Sequence, residues 1–416
     1  MNAKSLTCRE CGFEYPLEAR YVCERCFGPV EVAYDFSALA GDPESLRRRI
    51  QAGPQTIWRY ADFLPVEVLP QGKHAGLPVG CTPLVKADRL AERLGIDGEV
   101  YVKNDAANPT HSFKDRVVAV ASARARELGM TTLACASTGN LAGAVAAQAA
   151  ALGLDSYVFI PSDLEEQKIL STGVYGTKLV RVRGNYDDVN RLCTELSGER
   201  DWAFVNVNVR PYYAEGSKTL AYEIAEQLDW QVPDRIVSPI ASGSLFTKIK
   251  KGFTEFRDVG LIDGDQPTMH GAQATGCAPV ATAYAEGKNF IKPVKPDTIA
   301  KSLAIGNPAD GPYAIDVANH TGGSIEAVTD DEIRAGIRLL AETTGIFTET
   351  AGGVTTATLA KLAAAGKIPA GERTVILITG DGLKTLDAVR GSFESYEVEP
   401  KLSDFITHVE NEVLVP

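Results

Sequence analysis

The run Asn108-Pro109-Thr110-His111-Ser112-Phe113-Lys114-Asp115-Arg116 places a lysine at what reads as the first turn of a helix, where its amine is positioned for covalent chemistry. Tyr101-Val102-Lys103 before it reads as a short strand, and the Asn108-Pro109 step ends that strand before helical periodicity begins. Ser112 with Asp115 three positions on matches a capping box, which predicts Ser112 as the N-cap and Lys114 at N2. A cation there opposes the positive end of the helix dipole, an arrangement that favours the nucleophilic, neutral amine. Such an amine adds to an aldehyde. Taken alone, a lysine beside Asp115 and Arg116 is by default part of a solvated helix face.

Three further loops change that balance. Ser137-Thr138-Gly139-Asn140 opens an alanine-rich helix whose first N–H groups suit a carboxylate, although Ser, Thr and Asn are also ordinary caps. Ala241-Ser242-Gly243-Ser244-Leu245 has the small residues that let main-chain donors wrap a phosphate; it lacks a Walker lysine and a full GxGxxG, which sets ATP and dinucleotides aside. Thr379-Gly380-Asp381-Gly382-Leu383-Lys384 follows the last apolar run, and its glycines also fit plain turn chemistry. One ligand accommodates all four loops: pyridoxal phosphate. Lys114 would form the Schiff base, the 241–245 loop would hold the phosphate, Asn140 would bond the ring hydroxyl, and Thr379 would meet the ring nitrogen.

A second kind of chemistry lies near the start of the chain. Cys8, Cys11, Cys23 and Cys26 form CxxC-x11-CxxC, the spacing of a zinc ribbon in which two knuckles give four thiolates to a tetrahedral ion. Closed four-thiolate sites leave no open position for a substrate, so a structural zinc is expected, with an emptied remnant of such a site as the alternative. Cys81, Cys135, Cys193 and Cys277 are scattered and read as small buried residues.

The elements that position these groups follow from the pattern of the remaining sequence. From residue 99 onward, short apolar runs at 99–103, 132–136, 156–160, 178–182, 203–207, 235–239 and 374–379 alternate with amphipathic stretches at 114–128, 140–152, 163–175, 186–199, 213–228, 245–257, 330–344 and 353–365. That alternation marks parallel βαβ units. In an open sheet of this kind ligands bind beyond the carboxyl ends of the strands, which is where the four loops fall. Residues 1–36 form the ribbon, 41–55 a short helix or linker, and 60–80 an irregular, Pro- and Gly-rich segment. The ribbon reads as a small appendage to one catalytic body.

With 416 residues, 44% of them hydrophobic, the chain has ample core for two or three domains. A net charge of −12 and a pI near 5.1 argue against nucleic acid or an anionic membrane as the main partner, so any anion site is local. In the ribbon, Arg9, Arg20 and Arg25 are offset by Glu10, Glu14, Glu18 and Glu24, which speaks against a nucleic-acid platform. The apolar stretch 141–160 is broken by Gln148, Asp155 and Ser156 and is not a membrane span. No apolar h-region follows the first basic residue, so a cytoplasmic setting without stable disulfides is expected.

The runs Asn-Pro-Thr-x-Ser-Phe-Lys-Asp-Arg at 108–116, Ser-Thr-Gly-Asn at 137–140 and Thr-Gly-x-Gly-Leu-Lys at 379–384 resemble those of the threonine synthases, a family in the tryptophan-synthase-β class (fold type II) of pyridoxal-phosphate enzymes. The similarity extends through 210–219 and 300–308 and covers roughly residues 57 to 390. It implies an α/β fold of two doubly wound parallel-type sheets beside the four-cysteine ribbon. The corresponding division is ribbon 1–36, linker and first part of the larger domain 37–111, smaller domain 112–212 and remainder of the larger domain 213–416.

The resemblance also implies a carbon–oxygen lyase that converts O-phospho-L-homoserine and water to L-threonine and phosphate, with a homodimer as one expected assembly. By the same likeness Lys114 is the Schiff-base lysine, Phe113 a cofactor contact, Asn140 the partner of the ring oxygen and Thr379 that of the ring nitrogen. Ala241, Ser242, Gly243, Ser244 and Leu245 align with the phosphate loop but depart from the commoner Gly-Asn-Ala-Gly-Asn. His111 and Asp381 stand where many relatives have Gly and His, and neither is given a catalytic role. A dianionic substrate in an acidic protein needs local cations, for which Lys103 and Arg210 are candidates, each weighed evenly against a surface ion pair. Ser137 and Thr138 are the candidates for the substrate carboxylate.

Within the same fold, threonine dehydratase, cysteine synthase and cysteate synthase remain alternatives. Cysteate synthase is the nearest rival, since it can also carry an N-terminal cysteine-pair motif. From a different class, the ribbon marks a binding module. If it is only an accessory, deleting residues 1–36 leaves a foldable enzyme.

Overall fold

The computed structural model describes residues 1–67, 75–137, 139–162, 164, 166–184 and 186–410. Thr138, one of the expected substrate contacts, lies outside the described residues. At the N-terminus, β1 (Ala3–Cys8), β2 (Glu14–Tyr15) and β3 (Val30–Tyr34) form an antiparallel sheet in the order β2-β1-β3. Cys8 ends β1 and Cys11 lies in the turn that follows, while Cys23 and Cys26 lie in the β2–β3 loop.

This ribbon is not an appendage. Leu6, Val30 and Val32 share an apolar cluster with Val117, Leu133 and Tyr212. Polar bonds rim the seam: Tyr212 Oη donates to Glu18 O at 2.8 Å, Arg124 Nη2 to Leu17 O at 2.9 Å, and Tyr34 Oη to Glu215 Oε2 at 2.8 Å. The partners lie more than a hundred residues away along the chain, so no local pattern shows them, and removing residues 1–36 uncovers a buried face of the body.

The main body opens with β4 (Leu84–Lys86) and β5 (Glu99–Asn104). β6 (Thr132–Ala136), β7 (Asp155–Pro161), β8 (Lys178–Val182) and β9 (Ala203–Phe204) then make an all-parallel sheet in the order β8-β7-β6-β9. β10 (Arg235–Pro239), β11 (Thr268–Ala274), β12 (Ile325–Val328) and β13 (Arg373–Ile378) join the first two strands in a six-stranded sheet, order β12-β11-β10-β13-β5-β4. There β4 is antiparallel to β5 and the other pairings are parallel. Strands of a parallel sheet are covered on both faces, which is why β6, Thr-Leu-Ala-Cys-Ala, is buried at every position. Against the larger sheet pack the helices Lys218–Gln227 and Ser244–Asp258, whose core includes Tyr60, Phe63, Tyr222 and Phe256 with ring centres 4.4–6.2 Å apart.

The expected helix over 213–228 is divided into Arg210–Glu215 and Lys218–Gln227. At the break, a Cβ on Gly216 would lie 2.5 Å from Arg116 O and 2.6 Å from Val117 Cα, so glycine is what lets this segment touch the Lys114 helix. β11 and β12 escaped the sequence reading. β11, Thr-Met-His-Gly-Ala-Gln-Ala, carries buried His270 and Gln273 in place of a β-branched run, and β12 is four residues long. Among the described residues no helix is long and apolar enough to cross a membrane.

Candidate active site

Lys114 is the first residue of the helix Lys114–Glu127, and both its flanks are locked. The expected capping box does not form: the N-cap is Phe113, without a side-chain cap bond. Asp115 turns back instead to the loop, accepting from Thr110 N at 2.7 Å and Thr110 Oγ1 at 2.5 Å, while Ser112 Oγ accepts from Lys114 N at 3.3 Å. Arg116 is fully buried and forks between two carboxylates, with Nε and Nη2 on Asp105 at 2.7 and 2.8 Å and Nη1 and Nη2 on Glu223 at 2.5 and 2.8 Å. Burial by itself would raise the Glu223 pKa; the charges of Arg116 and Lys103 outweigh it and hold it at about 2. The Lys114 side chain, by contrast, has no hydrogen-bond or ion-pair partner among the described residues, and its Nζ stands 4.5 Å from the Phe113 ring centre and 5.8 Å from that of Tyr213.

Lys103 does not join this site. It is fully buried on β5 with its ammonium spent on Glu223 Oε2 at 2.6 Å, Thr82 O at 2.8 Å and Gln227 Oε1 at 2.8 Å, and burial pulls its pKa down. Strand alternation points it into the core beside Arg116, so it serves the scaffold and is withdrawn as a substrate cation.

β13 and β5 are parallel neighbours, so the loops after them leave the sheet together. Phe113 N donates to Thr379 O at 3.0 Å and Asp381 N to His111 O at 3.1 Å. Lys384 Nζ then bridges Thr110 O at 2.5 Å and Asn140 Oδ1 at 2.8 Å, bringing in the loop after β6. Ser137 lies in that loop, 8% exposed, with its Oγ accepting from Gly139 N at 3.3 Å. Thr379 is 3% exposed, and its hydroxyl has no partner among the described residues.

Asn140 has a partner that sequence reasoning missed. Its Nδ2 donates to both oxygens of Glu349 at 3.0 Å, and Glu349 N donates to Gly380 O at 3.0 Å. Burial pushes the Glu349 pKa up, opposed by the Asn140 bond and by the charges of Lys384 and Lys114. The local signal was faint: Glu349 occupies the N-cap of the helix Thr350–Ala364 yet makes no cap bond, because its carboxyl faces Asn140.

The fourth loop sits at the end of β10, next to β13. Gly243 adopts φ +96, and a Cβ there would lie 2.6 Å from Asp310 O, so glycine is required both by the turn and by the close approach. Ala241 packs against the cluster that holds Ala272 and Val354, and Leu245 lies in the core with Phe246 and Ile249, which leaves half-buried Ser242 and Ser244, on either side of buried Gly243, as the turn at the start of the Ser244–Asp258 helix. Ser242 O accepts from Asp310 N at 2.8 Å, and the Asp310 carboxylate accepts from Arg210 Nη2 at 2.6 Å. Arg210 begins the short helix that carries Tyr213 beside Lys114.

The donor set fits pyridoxal phosphate. An amine without a partner, an open buried hydroxyl on Thr379, the Asn140 amide and a glycine turn at a helix N-terminus all belong to strand-end loops, and the helix start offers N–H groups with no intrahelical acceptor. Asn140 can bond a ring oxygen only by sharing or leaving Glu349.

In the ribbon, the sulfurs of Cys8, Cys11, Cys23 and Cys26 lie within 4.8 Å of one another, with Cys8 and Cys26 3.4 Å and Cys11 and Cys23 3.7 Å apart. Four thiolates at about 2.3 Å from a tetrahedral zinc would stand about 3.8 Å apart, so the cluster fits that ion. Tyr15 Oη and Arg25 N approach Cys23 Sγ at 3.2 and 3.4 Å, the outer contacts that orient a ligating sulfur.

Over most of its length the chain is similar to known proteins. A family model described as pyridoxal-phosphate dependent enzyme matches residues 76–380. The threonine synthase of Methanocaldococcus jannaschii is 41% identical over 398 residues, 94% of this chain and 96% of that protein. That of Methanosarcina acetivorans is 41% identical over 382 residues, 91% of this chain and 92% of its own. Among solved structures, a fungal L-serine ammonia-lyase from Rhizomucor miehei aligns with a TM-score of 0.65 at 21% identity over 76% of this chain and 99% of its own. Threonine deaminase isoform 2 from Solanum lycopersicum aligns at 0.63 and 20% identity over 90% and 97%. These structural likenesses speak to the fold.

Proposed function

The chain belongs to the pyridoxal-phosphate-dependent enzymes and, within them, to the threonine synthases, and on that premise we propose that the Lys114 cluster converts O-phospho-L-homoserine and water to L-threonine and phosphate. The observation that carries the assignment of roles is the Lys114 amine, without a hydrogen-bond or ion-pair partner among the described residues while Ser112, Asp115 and Arg116 on either side of it are bonded. Bound pyridoxal phosphate supplies an electron sink for carbanions at the substrate's Cα and Cβ.

The chain's own residues do the rest. Lys114 would tether the cofactor, and its amine would remove protons from Cα and Cβ, deliver one to Cγ as that carbon becomes a methyl group, and return one to Cα, while the γ-phosphate leaves and water adds at Cβ. Phe113 packs beside that amine. Thr379 would offer the ring nitrogen a neutral hydroxyl, and Asn140, bonded to Glu349 and Lys384, would offer its amide to the ring oxygen. Ser242, Gly243 and Ser244, backed by Ala241 and Leu245, hold the cofactor phosphate with main-chain donors. Ser137 and Thr138 receive the substrate carboxylate, and Arg210 offers charge to the substrate phosphate.

The same reading takes in a structural zinc on Cys8, Cys11, Cys23 and Cys26, a cytoplasmic setting, a homodimer, and domain limits at 36, 111 and 212. The last has support in β6 to β9, which all fall within 112–212. The deciding test is phosphate release from O-phosphohomoserine with threonine identified as product, in wild type and in Lys114→Ala. Wild-type turnover should depend on added or retained cofactor, and Lys114→Ala should lose at least about a thousandfold in kcat, as expected for removal of a group that is both nucleophile and base. Full turnover by Lys114→Ala would sink the assignment.

A further inference from the structure

Between Cys8 and Cys11 of the first knuckle stand Arg9 and Glu10, and both contact residues outside the ribbon. The Arg9 guanidinium lies 3.5 Å from the ring centre of Tyr313 and 3.7 Å from Asp310 Oδ1. Glu10 accepts a hydrogen bond from the Tyr313 hydroxyl. Main-chain bonds fix the knuckle that carries them: Cys8 N to Phe13 O at 2.9 Å, Arg9 N to Pro29 O at 3.0 Å and Gly12 N to Cys8 O at 3.0 Å. Arg9 also faces Glu31 at 3.8 Å, a second anion that keeps its charge at the seam.

Asp310 is the recipient of that reach, and it is 5% exposed. Its carboxylate takes Arg210 Nη2 at 2.6 Å, its N–H donates to Ser242 O at 2.8 Å, and its main chain fills the space beside Gly243. A buried carboxylate with two cationic neighbours divides its charge between them. Without Arg9, Asp310 keeps Arg210 as its cation among the described residues and draws that guanidinium more fully to itself, away from an incoming phosphate.

We propose that Arg9 and Asp310 are positioning residues for the phosphate end of the active site, through which the first cysteine knuckle sets where Arg210 and the Ser242–Gly243 turn stand and how much charge Arg210 offers to an anion. This rests on the assignment of Arg210 and residues 241–245 made above. It gives the ribbon a role in substrate affinity beyond the apolar cluster that it shares with the body.

The experiment compares full-length holoenzyme with Arg9→Ala, Arg9→Gln and Arg9→Lys, reading kcat and KM for O-phosphohomoserine together with the inhibition constant for inorganic phosphate. Arg9→Ala should raise KM and the phosphate inhibition constant in step, by about tenfold, with kcat held within about twofold, since the loss is in placement of an anion-binding group. Arg9→Lys should recover most of the loss, which a purely structural defect would not allow. Arg9→Gln keeps part of the packing over Tyr313 without the charge and serves if the alanine variant does not fold. Unchanged KM and phosphate inhibition in both neutral variants would overturn the proposal, as would a fall in kcat at constant KM. Should wild type fail to turn over O-phosphohomoserine, the reading of function falls by itself. Calorimetric dissociation constants for inorganic phosphate, expected to differ about tenfold between wild type and Arg9→Gln, then decide this one.

Discussion

Two side chains at the centre of the site are defined by what they do not bond. Lys114 and Thr379 are ringed by paired groups, yet among the described residues neither has a side-chain partner of its own. A hydroxyl at the ring nitrogen leaves the cofactor less strongly protonated than a carboxylate would, which restrains the electron sink. Thr379→Asp is therefore expected to raise the share of turnovers that release ammonia instead of threonine; an unchanged product mixture would count against the restraint. Glu349 acts one step further out, through Asn140. Glu349→Ala removes the acceptor that orients that amide and should weaken cofactor retention on dialysis by about five- to tenfold, the scale of one lost hydrogen bond. Lys114 was legible in the sequence because its neighbours form a dense local motif. Glu349 was not, because its meaning lies in a contact to a residue 209 positions away.

Among the elements, the helix Lys114–Glu127 matters most, since its first residue is the one proposed to carry the chemistry. What fixes its register is Arg116, clamped by Asp105 from the loop after β5 and by Glu223 from the helix Lys218–Gln227, with Lys103 closing the network. Replacing one member of a buried charge network strands the others, so Arg116→Met should cost about 3–5 kcal/mol of stability by chemical denaturation and lower kcat as Lys114 loses its place. A loss under about 1 kcal/mol would mean that the carboxylates find other partners or protonate at little cost. Several elements were readable from periodicity alone, including β6, β8, β10 and the helices Asn140–Leu152 and Asp330–Thr344, the last opened by a Thr329–Glu332 capping box. β11 was not, because a strand buried on both faces needs no alternation and here uses polar residues that bond within the core, with Gln273 accepting from Val280 N and Ala281 N at 3.0 Å each.

For the molecule as a whole, pH is the sharpest probe of the buried interior. His270 lies between Arg235 Nη1 at 3.2 Å and Ser324 Oγ at 3.1 Å; burial first, and the Arg235 charge second, hold its pKa at about 4, against an ordinary 6.5. The unfolded chain thus binds this proton at higher pH than the native one, so the stability it represents is present above pH 6.5 and is lost as pH falls through 4. Glu223, lowered from 4.5 to about 2, extends the loss over the next interval down. Between pH 7 and 4 the unfolding free energy should fall by about 3 kcal/mol on account of His270, and His270→Gln should flatten that limb. An equally steep decline in the variant would place the cause elsewhere.

The sequence by itself determined the chemistry and the class of fold: a lysine in a motif, four loops of small residues at the ends of apolar runs, and paired cysteines are local patterns, and local patterns survive in one dimension. Tertiary structure decided which charges are free to act. It buried Lys103 with Glu223, turned Arg210 toward Asp310, brought Glu349 to Asn140, and seated the ribbon on the body through Arg9 and Tyr212. Each of these depends on which distant residue desolvates or neutralises a group, and the folded chain alone sets that.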